Sequence, residues 1–137
     1  VIDVLIGVMD ILKADATITN LIGEKVFGEE IPRDEIVNLP SKMIAVVSAG
    51  GVEKNQTSST ISARFDIWCY GETKYEARLL SRAAYDALKT VERVTIDGML
   101  IHSVALSGGP HPYRDPDTGW PAMIRSVSVI ADDRSII

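Results

Sequence analysis

The chain has 137 residues, 46% of them hydrophobic and 24% charged, which suits one domain able to bury roughly two-thirds of the surface its unfolded chain exposes. Its formal net charge is −5, so it lacks the basic face with which proteins grip nucleic acid through counterion release. A single cysteine, Cys69, excludes an internal disulfide framework, and no apolar run approaches the ~18 residues of a membrane span.

In chain order, residues 2–13 predict a helix, with Ile2, Leu5, Ile6, Met9 and Leu12 on one face. Val4, Val8 and Ile11 spread its apolar surface around most of the circumference, the pattern of a helix buried on more than one side. The opening residues carry no basic segment and are interrupted by Asp3 and Asp10, so they predict no signal peptide. Asp15 is a candidate N-cap and Gly23 a candidate terminator for a short second helix. Val26 and Phe27 begin an extended segment, followed by an acidic stretch that ends at Pro40.

Residues 43–49 predict a strand, and Gly50-Gly51 opens a polar loop. Residues 61–70 form the clearest strand, with Ile61, Ala63, Phe65, Ile67 and Cys69 alternating with Ser62, Arg64, Asp66, Trp68 and Tyr70. Thr73 and Glu76 form a capping box for a helix to about Lys89, with an apolar stripe of Ala77, Leu80, Ala84, Ala87 and Leu88. Residues 100–107 and 122–131 predict two more strands, joined by a loop holding Pro110, Pro112, Pro116 and Pro121. The expected architecture is α+β in one domain over 1–137, a mostly antiparallel sheet of about four strands with two main helices packed on it. Residues 132–137 are expected to form a flexible tail.

Chemistry-bearing residues are sparse. His102 lies in sequence phase with Leu100, Val104 and Leu106 and reads as a core or interface residue. His111 neighbours Asp115, Asp117 and Gly119, a fragment of a calcium loop without its closing glutamate. A proline-stiffened turn accounts for these residues. Cys69 reads as a small buried hydrophobe. No nucleophile elbow, phosphate loop or dinucleotide fingerprint occurs, so no catalytic residue, metal ligand or cofactor is predicted. Trp68 and Tyr70, on the less apolar side of their strand, and Tyr113 and Trp120, on the proline loop, are the candidate interface residues. The acids Glu24, Glu29, Glu30, Asp34 and Glu35 read, on composition alone, as a solvated loop.

Four passages in this order carry a resemblance. They are residues 11–23, Ile-Leu-Lys-Ala-Asp-Ala-Thr-Ile-Thr-Asn-Leu-Ile-Gly, with Lys25-Val26-Phe27; Pro40 before the Val/Ile strand 43–47; residues 63–71, Ala-Arg-Phe-Asp-Ile-Trp-Cys-Tyr-Gly, followed by Tyr75-Glu76-Ala77-Arg78-Leu79-Leu80; and residues 115–121, Asp-Pro-Asp-Thr-Gly-Trp-Pro, before the closing strand. The set resembles the tail-completion, or tail-terminator, family of long-tailed bacteriophages, over roughly residues 8–132. The acidic segment 29–35, with Pro32, is longer than the family's pattern.

The resemblance implies a structural virion protein and not an enzyme. Its members form a ring, commonly of six subunits, that caps the tail tube and docks onto the head connector. The implied partners are further copies of the chain, the tail tube protein and head connector or neck proteins, with genomic DNA passing through without specific binding and no membrane. The implied location is the tail–neck junction of the virion, after assembly in the host cytoplasm. A closed ring needs two different patches per subunit, which the apolar first helix and the aromatics could supply. A negative lumen repels the DNA backbone, which would place Glu24, Glu29, Glu30, Asp34 and Glu35 at the channel. The alternatives are a neck or head-closure subunit, a small hydrolase using His111 with Asp115 or Asp117, and a monomeric binding module built on the Trp120 loop.

Overall fold

The computed structural model describes residues 4–23, 25–29, 42–52, 60–96, 99–106, 110–114 and 119–133. In chain order these form helix α1 (Val4–Ala14), helix α2 (Ala16–Ile22), strands β1 (Val26–Gly28), β2 (Met43–Val52) and β3 (Thr60–Tyr70), helix α3 (Lys74–Lys89), and strands β4 (Glu92–Ile96), β5 (Met99–Leu106), β6 (His111–Arg114) and β7 (Pro121–Asp133).

The expected four-stranded, mostly antiparallel sheet under two helices is overturned. The described residues build one mixed sheet of seven strands, ordered β1-β2-β3-β7-β5-β4 with β6 also on β7, together with three helices. Two strands and one pairing escaped the sequence pattern. β1 is only three residues long and pairs parallel with β2, Val26 against Ile44. β4 is a hairpin partner of β5 whose Glu92, Arg93 and Thr95 are exposed. β6 contains Pro112 and falls where a proline loop was expected.

β5 and β6 lie on the same side of β7 and run in the same direction. Leu106 faces Val127 and His111 faces Ile124. The chain thus carries four residues, 107–110, where β7 carries two, so β6 continues the line of β5 after an interruption. A second irregularity falls inside β5, where Ile101 faces Ala131 and Ser103 faces Ile130. His102 is the extra residue of a bulge, and a bulge exchanges the faces of the residues on either side of it. His102 therefore does not share one face with Leu100, Val104 and Leu106, as its sequence phase predicted. Leu100 lies opposite Asp132 on one face, while Val104 and Leu106 lie opposite Val129 and Val127 on the other.

The helices cover one face of the sheet. The core between them contains Val8 and Leu12 of α1, Ile18 of α2, Leu80, Ala84 and Leu88 of α3, and Ile44, Val46, Phe65, Ile67, Val127 and Val129 of the strands. Asp15 caps α2 by accepting the Ile18 N–H at 3.0 Å, and Thr73 caps α3 by accepting the Glu76 N–H at 3.2 Å. The Glu76 carboxylate returns to the Glu72 N–H at 3.0 Å, one residue before the cap, so the return bond of the predicted box closes on Glu72 and not on Thr73. Gly71 makes the turn from β3 into α3, where a Cβ would meet the Ala77 nitrogen at 2.5 Å. Only glycine lets the helix start this close to the strand.

Candidate interaction surface

On the face of the sheet away from the helices, pairing register sets out two cross-strand rows. One runs Ala45, Trp68, Ile124, His111, and the next runs Met43, Tyr70, Ala122, Tyr113. Four strands thereby bring Trp68, Tyr70 and Tyr113 together. The Trp68 and Tyr70 rings stack at 6.3 Å between centroids, and Tyr113 meets Trp68 edge-on at 5.2 Å. Both arrangements are favourable for aromatic quadrupoles. Met43, Ala45 and Ala122 are fully buried beside the rings, so small or flexible residues seat the large ones.

Trp68 and Tyr70 are half-buried, Tyr113 is 37% exposed and His111 is exposed. The outcome is a rigid, partly open aromatic surface. Trp120 stands half-buried immediately before β7, and Arg114 donates to the Gly119 carbonyl at 2.6 Å, closing the end of β6 toward that residue. Further along the same face the surface becomes polar, as Ser126 donates to Asp66 at 2.8 Å and His102 Nε2 lies 2.8 Å from the Asp132 carboxylate.

Of the five acids singled out in the sequence, Glu29 is described. It is exposed and holds a left-handed backbone conformation, φ 67°, at the end of β1. Its N–H donates to the Val46 carbonyl at 2.7 Å, and the Ser48 hydroxyl donates to its carboxylate. Two hydrogen bonds thus hold a conformation that costs a non-glycine residue about 1–2 kcal/mol. Glu24, Glu30, Asp34 and Glu35 lie outside the described residues, as do Asp115 and Asp117. Among the described residues no three His, Cys, Asp or Glu side chains gather as a metal site.

One polar group escaped sequence reasoning. Arg125 of β7 points to the helix side, where it is 8% exposed. Its Nε donates to the Ser81 hydroxyl at 3.2 Å, and its guanidinium lies 4.8 Å from the centre of the Tyr85 ring. Burial holds its pKa below the ordinary arginine value, opposed by the nearby Cys69 and Tyr85. The available signal was its place in the alternation, two residues from Met123 and from Val127 on an apolar strand face. Cys69, also on the helix side, is buried, and desolvation pushes its thiol from 9.0 up to about 12 despite the nearby Arg125 charge. A thiol so protonated is a poor nucleophile.

No protein-family model and no curated protein matches the sequence. Among solved structures, the chain shares its fold with a chain of the "Virion of native gene transfer agent (GTA) particle". The TM-score is 0.71 over 91% of each chain, at 16% sequence identity. At that identity the likeness is one of fold.

Proposed function

We propose that this chain is a structural subunit of a phage-like virion. It forms a ring, of six subunits, that ends the tail tube and joins it to the head connector. The observation that carries this reading is the fold shared, almost end to end, with a chain of a gene transfer agent virion. The ordered sequence passages that resemble tail-completion proteins point the same way. The rigid aromatic surface suits a protein whose task is contact, because aromatic anchors lose little side-chain freedom on binding.

In this reading the chain does no chemistry and needs no cofactor. It resides at the tail–neck junction after assembly in the host cytoplasm. Its partners are its own copies, the tail tube and the connector, with Trp68, Tyr70, Tyr113 and Trp120 as contact residues. Glu29, with Glu24, Glu30, Asp34 and Glu35, lines or approaches the channel and repels passing DNA.

Light scattering of the purified protein, with negative-stain imaging, tests the reading. Annular particles with the mass of six 14.9-kDa subunits are the expected result. A monomer that neither assembles nor binds purified tail tubes would overturn it. For the channel, Glu29→Lys with Glu30→Lys should slow DNA ejection, and unchanged ejection kinetics would remove those acids from the lumen.

A further inference from the structure

Arg125 is a buried ion that the fold leaves largely unpaired. It is 8% exposed on the helix side of β7. A guanidinium carries five N–H donors. Nε gives its own to the Ser81 hydroxyl, and among the described residues the two terminal nitrogens reach no acceptor and no carboxylate. The remaining cover is the face of Tyr85, 4.8 Å away. Taking a charge out of water costs more than one neutral hydrogen bond and one ring face return, and buried charges are normally kept with a counter-ion.

The surroundings repeat the shortage. Arg82 and Lys89 each lie 5.2 Å from the centre of the same Tyr85 ring. The carboxylate beside them, Asp86, is shared between those two, 3.5 Å from Arg82 Nε and 3.1 Å from Lys89 Nζ. Three cations gather on one ring, and the innermost of them is the one left without an anion.

We propose that Arg125 receives a carboxylate from an Asp or Glu side chain of a second copy of the chain. The planar fork of a guanidinium matches the two oxygens of a carboxylate. Recessed beside Tyr85, it is reached by a single side chain on a narrow stem and not by the phosphates of a stiff duplex. Charge favours a second copy as the source. Lys74, Arg78, Arg82 and Lys89 of α3, with Arg125, stand against Glu76 and Asp86, so this side carries +3 in a chain of net −5 and the rest of the chain carries −8. One positive side on an otherwise negative molecule is complementary head to tail, the contact that a ring repeats. This inference rests on the ring proposed above and names an ion pair across its subunit contact.

Zero-length carbodiimide coupling tests it. Arg125→Lys places an amine at the site, and rings are assembled from equal parts of ordinary and isotope-labelled chains. Mass spectrometry should find the amine at position 125 joined to an Asp or Glu in peptides of mixed label. In parallel, Arg125→Met should unfold at the same denaturant concentration as the unmodified protein or a higher one, since an unpaired buried charge is replaced by an apolar chain. The same variant should raise the protein concentration needed for half-assembly at least tenfold. Coupling within one chain, to Asp86 for example, or none at all in assembled rings, would overturn this pairing and leave the proposed function standing. So would an Arg125→Met protein that unfolds at lower denaturant and assembles normally, because Arg125 is then a brace of the core. Coupling that appears only to added tail tubes, or normal assembly with lost affinity for duplex DNA, would overturn the second copy as the source. A protein that stays monomeric with and without tubes would overturn both readings.

Discussion

On the helix-covered side of β3, Phe65, Ile67 and Cys69 are each buried to 4% exposure or less. On the other side of the same strand, exposed Arg64 gives way to half-buried Asp66, Trp68 and Tyr70. The first side is continuous across the sheet, through Ile44 and Val46 on one neighbour and Val127 and Val129 on the other. The second side is divided, polar where Ser126 bonds Asp66 and aromatic where Trp68 meets Tyr70 and Tyr113. Adjacent residues on one strand therefore serve different ends. One side supplies stability, and the other holds a prepared surface that the isolated chain only half covers.

The largest effect expected from breaking this contrast is on the covered side. Ile67→Ala should cost about 4 kcal/mol, as fully buried branched residues do when a cavity is left. Denaturant unfolding measures it, and a loss under ~1 kcal/mol would mean the core is not continuous there.

The next effect concerns pH. The fold holds Cys69 protonated, its thiol pushed from 9.0 up to about 12. Stability from this group is complete below pH 9, the unfolded value, and falls as pH rises from 9 toward 12, because the unfolded chain releases the proton first. Three pH units correspond to roughly 4 kcal/mol at most. Cys69→Ala should flatten that part of the stability–pH curve relative to the unmodified protein. Parallel curves for the two would remove the burial argument.

The smallest effect is on the open side. Trp68→Ala should cost roughly 2 kcal/mol of stability, less than the core substitution, since part of the side chain is exposed in the isolated chain. A double-mutant cycle of Trp68 and Tyr113 should give a coupling of about 1 kcal/mol. Assembly should suffer far more than stability. If Trp68→Ala lowers stability as much as Ile67→Ala but leaves assembly intact, Trp68 belongs to a second core and not to a contact surface.

The elements legible in the sequence were those where local signals and burial agree. The capping box of Thr73 and Glu76 gave the start of α3 to within a residue, Asp15 gave the start of α2, and the alternation over β3 gave both of its faces. What escaped is what local pattern does not encode. β1 is too short to show a period and owes its place to parallel pairing with β2. In β4 only Val94 and Ile96 are partly covered, so its alternation is dilute. Pro112 disguises β6, although a proline is tolerated where a strand has a free edge. The bulge at His102 switches faces in mid-strand and misleads any reading by phase. For the candidate surface, Trp68, Tyr70 and Tyr113 were visible as outward aromatics. Their contact was not, because it needs the registers of β3, β7 and β6 together.

The interruption between β5 and β6 has a consequence for how this end of the molecule can be approached. Along β6, Pro112 has no N–H to offer, so the backbone presents a broken row of donors. A foreign strand seeking to extend the sheet finds a poor template there. Tyr113 stands exposed beside it, against the half-buried Trp68. The aromatic end thus refuses recognition by backbone, which any sequence can imitate, and admits recognition by side-chain shape, which few can. In the proposed role that keeps the surface unclaimed until the matching one arrives.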